Sequence, residues 1–164
     1  MIRRLIPHPG LTLSLIAVWL LLSDGMMGRG TLVLALLVGI ALPLLVAPYL
    51  RGVAPLRRPW RVPGYLTLVL WDILRANFTV ARIVLFMPRA DLRPAWLRVP
   101  LELHQPEAIT ALAATITLTP GTLSCDLSRD GRALLVHCLH APDPQAVLAE
   151  IKTRYEARLK EIFG

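Results

Sequence analysis

The chain has 164 residues, of which 55% are apolar and 18% charged, with a mean hydropathy of +0.56 and a formal net charge of +7. A soluble domain carries about 25% charged residues, so these values exclude an entirely soluble protein, and the apolar content excludes a disordered one. Residues 1–100 hold 12 arginines and three acids, whereas residues 101–164 hold six basic and eight acidic side chains. The arginines flank apolar runs, which is typical of a cytoplasmic membrane surface and argues against a nucleic-acid partner.

Two apolar runs occupy the N-terminal third of the chain. Residues 5–22 are uncharged apart from His8, and Arg3 and Arg4 precede them. Residues 31–50 contain no charged side chain. Twenty helical residues at about 1.5 Å each span about 30 Å, the thickness of a bilayer core. The start resembles a signal peptide, but a poor cleavage site follows it. The two runs therefore predict a membrane α-helical hairpin.

Arginines lie at both ends of this hairpin, whereas the loop between its arms carries one Arg and one Asp. Four arginines follow the second run: Arg51, Arg57, Arg58 and Arg61. The positive-inside rule then places both ends of the hairpin in the cytoplasm. Ion transport needs ionisable groups within the membrane, and neither apolar run carries an Asp, Glu, Lys or Arg, so a lone pump or channel is not expected.

Residues 63–87 are long enough for a third span but carry charged side chains. With about 100° between successive residues, four polar side chains fall within one arc of about 80°: Asp72, Arg75, Thr79 and Arg82. Such a stripe is typical of an amphipathic helix in the membrane interface. Since arginines flank the segment on both sides, we expect an interfacial helix whose stripe faces cytoplasmic water, lipid headgroups or a partner subunit. A third span is the alternative.

The remainder of the chain predicts a small cytoplasmic α+β domain. Its predicted elements are a strand over 95–103, a helix from Pro106 to Leu118, strands over 122–127 and 133–140 joined by an Asp130-Gly131 turn, and a helix capped by Asp143-Pro144. In the second strand, Leu123, Cys125 and Leu127 alternate with polar residues and are expected on the buried face. The order β-α-β-β-α is part of a ferredoxin-like layout.

These patterns divide the chain into three segments. The membrane hairpin and a basic loop occupy residues 1–62. The amphipathic helix, or third span, and a linker occupy residues 63–94, and the cytoplasmic domain occupies residues 95–164.

The cytoplasmic domain contains four side chains that could bind a metal: Cys125, His137, Cys138 and His140. On a strand, however, His137 faces away from Cys138 and His140, so the ligands do not converge. Two cysteines are also too few for a disulfide framework, and we interpret them as buried thiols in a reducing compartment. No catalytic set, metal site or cofactor is therefore expected.

Two segments carry a family resemblance: WDILRANFTVARIVLFMPRADLRPAWLRVPLEL, residues 71–103, and ITLTPGTLSCDLSRDGRALLVHCLHAPDPQAVLAEIKTRYEARLKEIF, residues 116–163. They resemble the E subunit of the multisubunit Mrp-type (Mnh, Pha) Na+/H+ antiporter. The similarity runs over nearly the whole chain and is strongest from Trp71 to Phe163. The most specific piece is TLTPGT at 117–122, followed by Asp126 and the strand that contains Val136-His137.

The resemblance implies a small accessory or assembly subunit of a seven-component complex in the bacterial cytoplasmic membrane. Its partners would be the other antiporter subunits and membrane lipids, and the complex would exchange Na+, or K+ or Li+, for H+. Larger subunits would carry the proton path. The candidate functional or assembly residues are Thr119, Pro120, Gly121 and Thr122, together with Asp72, Arg75 and Arg82 of the polar stripe.

Two other classes of protein are left open. A membrane-anchored enzyme would show a pocket lined by converging titratable groups in residues 101–164. A stand-alone scaffold or lipid-binding protein would use the arginine belt.

Overall fold

The structure is a computed structural model that describes residues 9–23, 28–47 and 56–164. The chain divides into two compact units, residues 1–53 and 54–164. Arg3, Arg4 and Arg51, on which the predicted topology depends, lie outside the described residues, as do residues 24–27 of the loop between the two apolar runs.

The first unit contains two helices, α1 (Pro9–Leu22) and α2 (Arg29–Val46). They pack closely at Gly39, where an added Cβ would lie 2.4 Å from Cγ1 of Ile16 and 3.3 Å from the carbonyl oxygen of Thr12. Within the described residues, α2 is the one helix that is both long and apolar enough to cross a membrane. Helix α1 is apolar but has only 14 residues.

The second unit combines a long helix, a three-stranded sheet and further helices. Its elements are α3 (Val62–Phe86), β1 (Ala95–Pro100), α4 (Pro106–Leu118), β2 (Thr122–Leu127), β3 (Ala133–Cys138), α5 (Pro144–Glu150), a π-helical segment (Ile151–Glu156) and α6 (Ala157–Phe163). The strands lie in the order β1-β3-β2, and β3 is antiparallel to both neighbours. The predicted order β-α-β-β-α is confirmed, although β1 and β3 end earlier than predicted.

Local sequence signals explain where the last helical region begins. Oδ1 of Asp143 accepts hydrogen bonds from the backbone N–H groups of Gln145 and Ala146, at 3.0 and 3.1 Å. Pro144 occupies the first helical position, where a backbone N–H has no helical partner. The predicted cap is thus confirmed. The π-helical segment that follows adds an extra residue to one turn, which a regular helical periodicity does not predict.

The core of the second unit lies between the sheet and the helices. Its most enclosed side chains include Val99, Leu112, Ile116, Val136 and Leu159, each 2% exposed or less. Helix α3 contributes Tyr65 and Val69 to the same cluster. Tyr65 Oη also lies 2.6 Å from Oγ1 of Thr115 on α4. Helix α3 therefore packs against the sheet-containing domain.

The face of strand β2 that packs against the core is the opposite of the predicted face. Leu123 and Leu127 are 48% and 42% exposed, and Cys125 is also exposed. Thr122 and Ser124 are half-buried instead, and Oγ of Ser124 donates to the carbonyl oxygen of Ala113 on α4 at 3.1 Å. The prediction was wrong because this edge strand packs against α4 through hydroxyl groups that satisfy helix carbonyls.

Candidate functional site

The second unit contains an open cleft of about 340 Å³ between α3, the α4–β2 turn and the C-terminal helical region. Six of the seven candidate residues line it: Asp72, Arg75, Thr119, Pro120, Gly121 and Thr122. Arg82 lies further along α3, is exposed and does not line the cleft. The cleft therefore brings most of the polar stripe together with the Thr-Pro-Gly-Thr turn, two features that lie far apart in the sequence.

Asp72 lies at one side of the cleft and is only 7% exposed. Its two carboxylate oxygens each accept a hydrogen bond from the guanidinium of Arg154, with Nε at 2.7 Å from Oδ2 and Nη2 at 2.5 Å from Oδ1. The hydroxyl of Tyr155 donates to Oδ2 at 3.1 Å. Two parallel N–H···O bonds form the strongest and most directional type of ion pair in proteins.

The expectation that Asp72 faces water, headgroups or a partner subunit is therefore wrong. The helical arc was correctly placed, since Asp72, Arg75 and Thr79 all line the same cleft. At Asp72, however, that arc meets the C-terminal helical region of the same chain, which supplies a cation and a hydroxyl. Arg75 and Thr79 are exposed, as expected.

The surroundings of the cleft keep the phenol of Tyr155 protonated and neutral. Burial, with the negative charge of Asp72 acting in the same direction, raises the pKa of Tyr155 to about 12. The hydrogen bonds to Asp72 raise the pKa of Arg154, although it is already charged at any physiological pH. The Tyr155 proton therefore stays in place as a hydrogen-bond donor.

The two threonines of the turn close the C-terminal end of α4. Oγ1 of Thr119 donates to the carbonyl oxygen of Thr115 at 2.9 Å. Oγ1 of Thr122 lies 2.6 Å from the carbonyl oxygen of Ile116 and 3.0 Å from that of Thr119. The last carbonyls of a helix have no partners within it, so these hydroxyls satisfy acceptors that would otherwise need water. Their protons are engaged, and both side chains are half-buried.

Gly121 has the conformation predicted for a proline–glycine turn. Its φ is +92°, and the backbone N–H of Thr122 donates to the carbonyl oxygen of Thr119 at 3.3 Å. A positive φ at the third position of such a turn favours glycine. A Cβ at Gly121 would also lie 3.0 Å from Cγ2 of Val80 on α3. The turn thus approaches α3 closely across the cleft.

The side chains considered for a metal site lie apart. Cys138 is buried and Cys125 is exposed. Burial raises the pKa of the Cys138 thiol, which disfavours the thiolate that binds metals. Nδ1 of His140 accepts the backbone N–H of Arg93 at 3.2 Å. Within the described ranges, no three His, Cys, Asp or Glu side chains are grouped to hold a metal ion.

Sequence reasoning missed Arg154 and the role of Tyr155 in the site. Tyr155 lies on the buried side of the C-terminal helical region, where it is 6% exposed. The π-helical segment places Arg154 and Tyr155 together against Asp72. π-helical turns occur frequently at functional sites, but nothing in the residue pattern announces one here.

A model of the Na+/H+ ion antiporter subunit family matches residues 12–162. The chain therefore belongs to this family, and the resemblance found in the sequence is confirmed. The family consists of transporter subunits rather than enzymes, and its members belong to membrane complexes.

Two relatives illustrate how far the similarity extends. The E subunit of a probable K+/H+ antiporter from Rhizobium meliloti (strain 1021) is 34% identical over 161 residues, which cover 98% of this chain and 99% of the relative. The E subunit of an Na+/H+ antiporter from Alkalihalophilus pseudofirmus is 30% identical over 125 residues, which cover 76% of this chain and 78% of the relative.

The fold also recurs in a solved structure. A chain in the membrane-bound sulfane sulfur reductase (MBS), an archaeal respiratory membrane complex, superposes with a TM-score of 0.74 and 24% sequence identity. The match covers 98% of this chain and 99% of that chain. Because the identity is low, this likeness bears on the fold alone.

Proposed function

We propose that this chain is an accessory subunit of a multisubunit monovalent cation/proton antiporter in the bacterial cytoplasmic membrane, where it supports Na+ or K+ efflux and pH homeostasis. Family membership and the names of the two relatives support this assignment. Its partners are the other subunits of the antiporter, which carry the ion path.

One observation in the cleft favours an assembly role over ion conduction. Asp72, the buried carboxylate among the cleft residues, has both oxygens engaged by Arg154 and Tyr155. A carboxylate that relays protons or binds Na+ must exchange its partners, whereas this one holds α3 to the C-terminal helical region. In the described part of α2, no ionisable side chain follows Arg29. This geometry argues against an ion relay at Asp72, and our proposal places the docking site for another subunit at the cleft.

The finer architecture is part of the same proposal. Helices α1 and α2 form a membrane hairpin with both ends in the cytoplasm, and the sheet-containing domain is cytoplasmic. Strands β1 and β2 are both antiparallel to the central β3, which is the arrangement of a ferredoxin-like sheet without its fourth strand.

The test compares two glycines that share a left-handed backbone. Gly121 has φ +92° at the cleft, and Gly131 has φ +68° in the β2–β3 turn, where nothing lies within 4 Å of an added Cβ. Substitution by valine strains the backbone at both positions by about 1–3 kcal/mol. Only Gly121→Val also crowds Val80 and alters the cleft.

The two variants are produced together with the other antiporter subunits, and blue-native electrophoresis is combined with growth in high sodium or potassium at alkaline pH. We expect Gly121→Val to lose the complex and the tolerance, while Gly131→Val keeps both. An intact complex and full tolerance in Gly121→Val would contradict a docking role for the cleft. Loss of both properties in both variants would indicate a general loss of folding.

A further inference from the structure

Helix α3 has an inner face and an outer face that differ completely in their surroundings. Residues turned toward the domain recur at helical spacing along most of the helix: Tyr65, Val69, Asp72, Ala76, Val80 and Ile83 are buried or half-buried. The opposite side carries five large apolar side chains, Leu66, Leu70, Leu74, Phe78 and Leu85, which are 54% to 79% exposed. We call these five residues, with the residues between them on the same arc, the outer face.

The outer face includes two polar side chains, Thr67 and Asn77, and each donates a hydrogen bond to its own helix. Oγ1 of Thr67 donates to the carbonyl oxygen of Pro63 at 2.9 Å, and Nδ2 of Asn77 donates to that of Ile73 at 2.8 Å. Such back-bonding to the carbonyl four residues earlier satisfies polar groups where water is absent.

The composition of the outer face favours lipid over a partner helix. Helix–helix contacts in membranes are enriched in small residues that let the backbones approach, and protein interfaces carry about one hydrogen bond per 100–200 Å². Here large Leu and Phe side chains project outward. Trp71, which is 64% exposed, lies at the border of the same face, where an amphipathic ring suits the level of the headgroups.

Charge at the borders of α3 complements an anionic membrane surface. Arginines lie beside the helix and within its polar edge, at Arg57, Arg58, Arg75, Arg82, Arg89 and Arg93. The acids in this stretch are Asp72, which is bonded to Arg154, and Asp91. Only 15 residues separate the start of α3 from the end of α2, which is long and apolar enough to cross a membrane.

We propose that α3 lies in the plane of the membrane, with its outer face among phospholipid acyl chains and its inner face carrying the domain. A helix that crosses the bilayer needs apolar surroundings on all sides. The inner face of α3, from Tyr65 to Ile83, instead packs against the sheet-containing domain and meets the charged guanidinium of Arg154. This inference rests on the membrane association in the proposed function and deepens it, because it names the surface that meets the lipid.

The test measures the depth of each position in the bilayer. The full chain with Cys125→Ser is reconstituted in vesicles of phosphatidylethanolamine and phosphatidylglycerol, and single cysteines at positions 66, 70, 74, 78 and 85 carry a nitroxide. The native Cys138 is buried and stays unlabelled. Collisions with dissolved O2 and with a water-soluble nickel chelate give the depth. Position 37 on α2 and position 153 on the exposed side of the domain are the controls for a span and for water.

We expect all five outer positions at one shallow depth, about 5–10 Å below the phosphates. Position 37 should lie much deeper and position 153 should be in water. A depth that is greatest at positions 74 and 78 and falls toward 66 and 85 would show a third span and overturn the proposal. Weak collisions with both reagents would show that protein covers the face, which also overturns it. If position 37 and the outer positions are all in water, the chain is not in the membrane and the proposed function fails. If position 37 is deep and the outer positions are not at the shallow depth, only the proposed arrangement of α3 fails.

Discussion

Two carboxylates form ion pairs with the C-terminal helical region, and they differ in solvent exposure. Asp72 has a side chain 8% exposed and is bonded twice by Arg154. Glu102, which follows β1, has a side chain 57% exposed and pairs with Lys160 at 2.5 Å and with Lys152 at 3.0 Å. By distance alone the two sites are similar ion pairs.

The comparison shows that a strong effect on a pKa is different from a strong effect on folding. The two lysines lower the pKa of Glu102 to about 2, yet an exposed pair is screened by solvent and salt and often adds nothing measurable to stability. Removal of one partner from a buried pair leaves a charge without solvation, which is costly. The Asp72 pair is therefore the one that holds α3 in place.

The largest effect is expected for Arg154→Leu. It leaves the buried carboxylate of Asp72 without its cation and should lower the free energy of unfolding by about 3 kcal/mol. Thermal unfolding can be followed in a Cys125→Ser background through the reaction of the buried Cys138 with a fluorogenic thiol reagent. Lys160→Leu is the matched control and should leave the midpoint unchanged. Equal midpoints in the two variants would remove the distinction between the sites.

The variant that combines Asp72→Asn with Arg154→Leu tests the same comparison. Asp72→Asn removes the charge that Arg154→Leu leaves unpaired, so the combined variant should recover part of the stability that Arg154→Leu loses. The coupling free energy between the two positions is then read from a double-mutant cycle. A coupling close to zero would show that Asp72 is solvated in spite of its burial.

The group of ion pairs around Glu102 includes one buried carboxylate, Glu156, which is 1% exposed. Its Oε1 accepts the backbone N–H groups of Glu102 and Leu103 at 2.6 and 3.3 Å, and Lys152 pairs with its other oxygen. Glu156→Ala leaves two backbone donors without an acceptor, and we expect a loss of about 2–3 kcal/mol in the same thiol assay. Glu156→Gln keeps an acceptor and should lose less. Equal losses would assign the effect to charge alone.

Tyr155 predicts a dependence of stability on alkaline pH. Its pKa is about 12 in the folded chain and about 10 when unfolded, so the neutral phenol is favoured by folding. This stabilisation is complete below pH 10 and is lost as the pH rises from 10 to 12, at a cost of up to about 2.7 kcal/mol. Unfolding midpoints measured across that interval should fall more steeply in the parent chain than in Tyr155→Phe. If the midpoints of the two chains fall equally with pH, the raised pKa of Tyr155 is contradicted.

The smallest effect is expected for Glu102→Gln, whose midpoint at neutral pH should match that of the parent chain. Because the pKa of Glu102 is lowered to about 2, any stabilisation from its lysines is present above about pH 4.5 and is lost as the pH falls toward 2. Any small difference between the two chains above about pH 4.5 should disappear in high salt and as the pH falls toward 2. A clear loss of stability at neutral pH would show that the exposed Glu102 pair stabilises the fold as the buried Asp72 pair does.

Much of the fold was predictable because local signals decide it. Asp143 before Pro144 marks a helix start, and Pro120-Gly121 marks a helix end with a positive φ. These signals act within a few residues, so they survive without knowledge of the rest of the chain. The exposed face of β2 was not predictable from alternation, because hydroxyl-to-carbonyl bonds with α4 reversed the usual preference.

The sequence by itself determined the apolar helix Arg29–Val46, the order of the elements in residues 95–164, the positions of the turns, and the family to which the chain belongs. Only the tertiary structure decided what the polar stripe of α3 faces. Asp72 and Arg154 are 82 positions apart in the chain, and a π-helical segment sets the angle at which the guanidinium meets the carboxylate. Periodicity records which side of a helix is polar, but the partner of a buried charge depends on which distant segment packs against that side.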